Sequence, residues 1–197
     1  MHLLFVCTGN ICRSPLAERL TLAYSEVERD ALGDVMTARS AGTAAVVGRP
    51  IEPSAGLVLQ GLGGSSDGFR ARQLCVEHID AADLVLTMTR RHRAAVLQMA
   101  PRRMSRTFTL REAASLLTAV DVSSLAHEPD LATRARHLAS ALAKLRGTRI
   151  ARSDQLSDDI TDPIGGDLEK FQRVGEDIAN ALLPLLGALA RNPVMPG

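Results

Sequence analysis

The sequence has few aromatic residues and no long apolar run. Its 197 residues include no tryptophan, and aromatic residues make up 3% of the chain, against 46% for hydrophobic residues as a whole. A core therefore has to be built from leucine, valine and alanine. The apolar run at residues 181–190 is interrupted by Pro184 and is too short to span a bilayer. The length predicts one α/β domain with an elaboration over residues 1–197, or at most two small domains.

An excess of charge of one sign is also missing. The chain has 23 Lys and Arg against 22 Asp and Glu, a net charge of +1 at pH 7. Because nucleic acids and anionic membranes attract clustered positive charge, we expect neither as a partner. Three cysteines, two of them in one short loop, do not form a disulfide framework. A reactive thiol needs a reducing compartment, and the chain starts without a signal-peptide pattern, so we expect a cytoplasmic protein.

A loop over residues 7–15 lies between a predicted strand and a predicted helix. Residues 3–6 form an apolar run typical of a buried strand. Apolar residues then recur at helical spacing over residues 16–27. Pro15 suits the first position of that helix, and Gly9 permits a tight turn before it. Because a helix N-terminus presents free N–H groups, we expect this loop to form an anion cradle.

Two reactive groups stand in this loop, separated by five residues. A helix N-terminus and an adjacent cation favour the reactive thiolate form of a cysteine, here Cys7. The planar guanidinium of Arg13 can hold two oxygens of a phosphoryl group. A nucleophile and an oxyanion clamp together indicate covalent phosphoryl transfer. We expect Asn10 and Ser14 to hold the loop and to hydrogen-bond the thiolate.

A second polar loop, over residues 157–167, precedes the last predicted helix. Pro163 and the two following glycines indicate a turn. The loop carries four carboxylates, Asp158, Asp159, Asp162 and Asp167. Phosphoryl transfer to a thiolate needs an acid to protonate the leaving oxygen and then a base to activate water, and one carboxylate can serve both steps. The loop therefore supplies candidates for the acid.

The first loop resembles that of the low-molecular-weight protein tyrosine phosphatases, in their bacterial form. The matching string is Cys7-Thr8-Gly9-Asn10-Ile11-Cys12-Arg13-Ser14-Pro15. Two further segments resemble the family: Asp162-Pro163, whose aspartate is the general acid there, and the segment at residues 40–43, whose serine, here Ser40, supports the phosphate loop. The resemblance covers about residues 1–118 and 159–189. It implies a doubly wound α/β fold with a four-stranded parallel sheet in the order 2-1-3-4, and helices on both faces.

The resemblance also implies an activity. It predicts hydrolysis of phosphotyrosine through a cysteinyl-phosphate, without metal or cofactor, on a phosphorylated protein or peptide. Cys7 is then the nucleophile, Arg13 the clamp and Asp162 the acid. The residues expected around the substrate are Thr8, Gly9, Asn10, Ile11, Cys12 and Ser14.

Two other activities share this fold. Family members that act on phosphoarginine commonly have threonine at the position of Ile11, so isoleucine favours phosphotyrosine. Arsenate reductases usually have glutamine where Pro15 stands and a further cysteine pair downstream, where this chain has only Cys75. A protein-arginine phosphatase is therefore the second hypothesis, and an arsenate reductase the third.

The chain departs from the family over about residues 118–157, a helical insertion. Apolar residues at positions 131, 135, 138, 142 and 145 predict an amphipathic helix, with Asp130 as its N-cap. Its polar side is expected to hold Arg134, Arg136, His137 and Lys144. The helix either packs on the domain or binds a protein partner or a second copy of the chain.

Three local features complete the expectations. Phe69 stands where the family often has a histidine bonded to the phosphate loop, a bond that phenylalanine cannot make. The run of charged residues at 90–93 predicts a solvent-exposed helix face, which includes His92. Pro184 is expected to kink or end the last helix.

Overall fold

The computed structural model describes residues 1–32, 36–149 and 158–190 of the chain. Its sheet consists of four parallel strands: β1 (His2–Cys7), β2 (Thr37–Gly42), β3 (Leu84–Thr87) and β4 (Thr107–Thr109). Their order across the sheet is β2-β1-β3-β4. The predicted fold class and strand order are therefore confirmed.

The sheet is covered by helices on both faces. In chain order the helices are α1 (Arg13–Val27), α2 (Arg29–Leu32), α3 (Pro53–Gly61), α4 (Val76–Ala81), α5 (Arg90–Met99), α6 (Leu110–Leu117), α7 (Ser123–Ala126), α8 (Leu131–Arg149) and α9 (Leu168–Gly187), with a 3₁₀ segment at Pro101–Arg106. Helices α1, α3, α6, α8 and α9 share one apolar cluster with Leu3 and Phe5 of β1. Helices α4 and α5 share the other with Leu4 and Val6. Because both faces of β1 are buried, its sequence is continuously apolar.

The insertion is a helix packed on the domain. The predicted apolar stripe of α8 faces the core, since Leu131, Ala135, Leu138 and Leu142 are fully buried. The amide of Thr133 donates to Asp130 Oδ1 at 2.7 Å, which confirms the predicted cap. The last predicted positions of the insertion, residues 150–157, lie outside the described residues.

One prediction about the helices is wrong, and one of the two alternatives for Pro184, an end of the helix, is excluded. Arg134 does not lie on the polar side of α8: it is fully buried, and its Nη2 donates to the carbonyl oxygen of Leu32 at 2.5 Å. A guanidinium on a long apolar stem can reach a buried carbonyl from within an apolar face. Helix α9 does not end at Pro184 but runs to Gly187, and the Ala188 amide still donates to the Pro184 carbonyl at 3.0 Å. Burial of Leu182 and other leucines around the proline offsets the lost hydrogen bond.

None of the helices in the described ranges combines the length and the hydropathy needed to cross a membrane.

Candidate active site

The loop after β1 lies at the carboxyl end of the sheet and is shaped by a downstream segment. Its carbonyl groups accept hydrogen bonds at 2.8–3.0 Å from backbone amides that follow β2. The pairs are Thr43 to Cys7, Ala44 to Thr8, Val46 to Gly9 and Glu52 to Ile11. Gly42 permits this close approach, because a Cβ added there would lie 2.3 Å from the Thr8 carbonyl oxygen. The loop carbonyls are thus engaged with their own domain.

The amides of the same loop remain available to an anion. Within the described ranges, the backbone N–H groups of residues 8–13 donate to no protein acceptor. The loop also runs directly into the N-terminus of α1, whose dipole favours negative charge. This arrangement matches the predicted anion cradle.

Asn10 is the structural centre of the loop. It is fully buried and has a φ of 55°, in the left-handed region that asparagine tolerates better than most residues. Its side-chain Nδ2 donates to Ser14 Oγ at 3.0 Å and to Ser40 Oγ at 2.8 Å. Its Oδ1 accepts from the Arg72 amide at 2.8 Å. The asparagine therefore joins the loop to α1, to β2 and to the segment after α3.

These bonds determine where two hydroxyl protons point. Because the Asn10 amide nitrogen can only donate, Ser14 Oγ accepts from it and is free to donate its own proton to Cys7 Sγ, 2.9 Å away. The Ser40 hydroxyl donates in the other direction, to Glu18 Oε2 at 2.6 Å. Ser14 thus lies where the sequence predicts, within hydrogen-bonding distance of Cys7 Sγ.

Glu18 is a supporting residue that the sequence analysis missed. Its carboxylate is 4% exposed, and its Oε1 lies 3.7 Å from Arg72 Nη2 and 3.9 Å from Arg19 Nε. Glu18 stands four residues after Ser14 on α1, and this helical spacing places both side chains on one face of the helix. The spacing could have indicated that Glu18 supports the loop. Phe69 is buried, 5.5 Å below the Arg19 guanidinium. A histidine at position 69 would bond the phosphate loop. In this chain the Arg72 amide bonds that loop, by donating to Asn10 Oδ1.

The structure brings Arg13 and Asp162 together from opposite ends of the chain. Arg13 is 5% exposed; its Nη2 donates to Asp162 Oδ2 at 2.6 Å and its Nη1 to the Ile160 carbonyl at 3.0 Å. The Asp162 side chain is half exposed. The Ile160 amide donates to the Met88 carbonyl at 2.8 Å, which attaches the second loop to the end of β3. One end of the sheet therefore carries thiol, guanidinium and carboxylate.

The other carboxylates of this loop have different partners. Asp159 accepts from the Arg90 amide at 2.8 Å and from the Arg90 guanidinium at 3.3 Å. Burial raises the pKa of Asp159, but the hydrogen bonds and charge of Arg90 outweigh it and bring the pKa below its ordinary value. Asp167 caps α9 by accepting from the Lys170 amide at 2.9 Å. The carboxylate that contacts Arg13 is therefore that of Asp162, and Asp159 and Asp167 bind elsewhere.

His92 does not lie on a solvent-exposed face, contrary to prediction. It is 5% exposed, with Nε2 2.8 Å from Thr8 Oγ1 and Nδ1 2.9 Å from Thr89 Oγ1. Burial, then the charge of Arg13, lower the pKa of His92 to about 4. Thr89 is the N-cap of α5, and its hydroxyl accepts a hydrogen bond from the His92 amide. His92 lies about one helical turn before the buried Val96, so both side chains face the interior of the domain. That spacing of four residues is the signal that could have located it.

The remaining loop residues line the cradle. Cys12 is buried, and burial followed by the charge of Glu52 raises its pKa to about 12, so it stays a thiol at neutral pH. Ile11 packs against the core at the partly exposed side of the loop. A Cβ added at Gly9 would contact Ile11 at 3.5 Å and Val46 at 3.6 Å, so these two apolar side chains flank the same turn.

Comparison with known proteins identifies the family. The family model described as low molecular weight phosphotyrosine protein phosphatase matches residues 2–124. The low molecular weight protein-tyrosine-phosphatase Wzb of Salmonella typhi is 38% identical over 104 residues, 53% of this chain and 64% of that protein. A protein-arginine-phosphatase of Geobacillus stearothermophilus is 39% identical over 111 residues, 56% of this chain and 70% of its own length.

A solved structure extends the similarity beyond these matches. The structure of the low molecular weight protein tyrosine phosphatase from T. tengcongensis superposes with a TM-score of 0.65 at 27% identity, and covers 94% of this chain and 97% of that one. The sequence alignment with the Salmonella protein spans less than two thirds of that relative. The structural superposition, in contrast, covers 94% of this chain. With the family model matching well over half of its residues, the chain belongs to the low molecular weight phosphotyrosine protein phosphatase family.

Proposed function

We propose that the protein hydrolyses phosphotyrosine in proteins or peptides through a cysteinyl-phosphate. The observation that carries the proposal is the placement of Cys7, Arg13 and Asp162 at one end of the sheet, around a loop with available amides. The cradle and Arg13 hold the substrate phosphate. Cys7 Sγ attacks phosphorus as the P–O bond to the leaving oxygen breaks, and Asp162 protonates that oxygen. Asp162 then takes a proton from water, which attacks phosphorus and breaks the P–S bond.

The nucleophile gives the sharpest test of this mechanism. Serine at position 7 keeps the shape of the site, but its hydroxyl stays protonated at neutral pH. We expect Cys7→Ser to lose turnover of p-nitrophenyl phosphate, while inorganic phosphate still shifts the NMR signal of the Gly9 amide. Cys75→Ser is the matched control, because Cys75 lies at the start of α4, and it should retain full activity. Substantial turnover by Cys7→Ser would rule out the covalent intermediate.

The apolar rim supports a phenyl ring as the leaving group. Ile11 and Val46 flank the turn at Gly9, and Ile164, half exposed, follows Asp162 on the opposite loop. A phosphorylated guanidinium against these side chains would leave N–H groups without acceptors, which costs about 1–3 kcal/mol for an unmet polar group. That cost corresponds to roughly 5- to 150-fold in selectivity.

A protein-arginine phosphatase is the second candidate, because the Geobacillus relative carries that name at a similar identity. Peptides that carry phosphotyrosine, phosphoserine or phosphoarginine, assayed side by side by phosphate release, decide between the two. We expect the highest kcat/KM for phosphotyrosine. Faster hydrolysis of the phosphoarginine peptide would favour the second candidate.

Three further expectations remain proposals. Arsenate reduction finds little support, because Pro15 and the solitary downstream Cys75 depart from that class. A cytoplasmic location follows from the need to keep Cys7 reduced. A protein partner of the insertion would have to use the polar side of α8, since its apolar stripe is buried in its own domain.

A further inference from the structure

A cavity with basic side chains lies between helix α4 and the face of strands β1 and β2. Its volume is about 340 Å³, and Arg39, Arg72 and His78 are among the residues that line it. The exposed Arg39 guanidinium forms no hydrogen bond or ion pair with any described residue. The Nδ1 atom of His78 is buried and also lacks a hydrogen-bond partner there. The cavity thus contains hydrogen-bonding capacity that its own domain does not use.

The charge in the cavity is positive. For His78, burial is the largest influence on the pKa, followed by the charges of Arg72 and Arg39, and all three lower it. For His2, burial and then the charge of Arg39 lower the pKa, although Asp83 opposes them. Both histidines are therefore neutral near pH 7. Glu77 is the one carboxylate among the lining residues and Arg72 lies near Glu18, so the positive charge without an ion-pair partner among the described residues is that of Arg39.

Arg72 belongs to both this cavity and the candidate active site. Its amide donates to Asn10 Oδ1 at 2.8 Å, and its Nη2 lies 3.7 Å from Glu18 Oε1. Glu18 in turn accepts the Ser40 hydroxyl proton, and Ser40 accepts from Asn10. At 3.7 Å the Arg72–Glu18 contact is an ion pair without a hydrogen bond, so the guanidinium has donors left for a second anion.

We propose that this cavity is a second oxyanion site, which binds phosphate through Arg39 and Arg72 and thereby adjusts the catalytic loop. Two planar guanidinium groups suit the oxygens of a dianion. A bound anion competes with Glu18 for the Arg72 guanidinium, and a shift of Arg72 reaches the catalytic loop through its amide, which donates to Asn10 Oδ1. Binding itself does not depend on the proposed function; the effect on turnover does.

Inorganic phosphate is the probe, and two NMR signals separate the two sites. In the 197-residue protein at pH 7.5, the Gly9 amide reports the phosphate loop and the His78 ring reports the cavity. We expect the His78 ring to follow its own binding curve, distinct from that of Gly9, with sodium chloride at equal ionic strength as the salt control. Arg39→Gln should weaken the His78 curve about tenfold or more and leave the Gly9 curve unchanged.

The matched control is Arg102→Gln, which removes another exposed arginine, away from the cavity, and should change neither curve. If the His78 ring follows the Gly9 curve in all three proteins, there is no second site and the proposal is wrong. If Gly9 does not respond but His78 does, the proposed function fails and the second site stands.

Turnover tests the coupling between the sites. Phosphate that only competes at the phosphate loop raises KM for p-nitrophenyl phosphate and leaves kcat unchanged. Phosphate at the second site should also lower kcat at saturating substrate, in the wild type and in Arg102→Gln but not in Arg39→Gln. An unchanged wild-type kcat at phosphate concentrations that saturate the His78 signal would overturn the coupling.

Discussion

Replacing Asn10 by alanine measures how much the buried side chain contributes to the phosphate loop. The change removes three hydrogen bonds of 2.8–3.0 Å, to Ser14, Ser40 and the Arg72 amide. At about 0.5–1.5 kcal/mol net for each, the three bonds account for roughly 1.5–4.5 kcal/mol of unfolding free energy. Alanine at a φ of 55° adds about 1 kcal/mol of backbone strain.

We therefore expect Asn10→Ala to lower the free energy of unfolding by about 2.5–5.5 kcal/mol, measured by urea denaturation. Asn10→Gly is the matched control, because it loses the same hydrogen bonds without the backbone strain; it should be about 1 kcal/mol more stable than the alanine variant. Both variants should lose kcat by about tenfold to a hundredfold, because the cradle is no longer held in position. A loss of stability below about 1 kcal/mol, or an alanine variant more stable than the glycine variant, would refute the assigned role of Asn10.

Three further outcomes follow from the site. Asp162→Asn should lower kcat by about 10²–10⁴-fold for phosphotyrosine peptides and less for esters with acidic leaving groups, whereas a larger loss in Asp159→Asn would reassign the acid. Ile11→Thr should raise the ratio of phosphoarginine to phosphotyrosine hydrolysis, and an unchanged ratio in the peptide assay would remove the position from the specificity argument. Because the pKa of His92 is lowered from 6.5 to about 4, the unfolded chain takes up a proton first as pH falls, so stability should be lost between pH 6.5 and 4, by up to about 3 kcal/mol. His92→Asn should show a shallower loss over that window in urea denaturation, and equal pH profiles would contradict the buried neutral imidazole.

Local sequence patterns predict the first strand, the phosphate loop and helix α1. The apolar run of β1 and the helical spacing after Pro15 both depend on neighbours within a few residues, and the structure follows them. The cap of Asp130 on α8 is likewise local. Such features are visible in one sequence because backbone geometry fixes the spacing of side chains along a helix or strand.

The residues that local patterns miss depend on contacts between distant segments. His92 stands among arginines, and its burial depends on how α5 meets a loop 84 residues earlier in the chain. Arg134 looks like a surface cation until α2 brings the Leu32 carbonyl to it. The Arg72 amide supports Asn10 across 62 positions. The spacing of His92 and Val96 indicates a shared helix face, but the partner of each of these polar groups is supplied by the tertiary fold.

The backbone bonds between the phosphate loop and the segment after β2 have a consequence for how this enzyme family can change. Val46 contributes its side chain to the apolar rim and its amide to the Gly9 carbonyl, which helps to shape the cradle. A side-chain replacement at position 46 can change the rim alone. An insertion, a deletion or a proline there also shifts the amide that holds the loop. Preference for a substrate can therefore evolve here by point substitution. Insertions and deletions in this segment are constrained, because they move the amides that hold the phosphate loop.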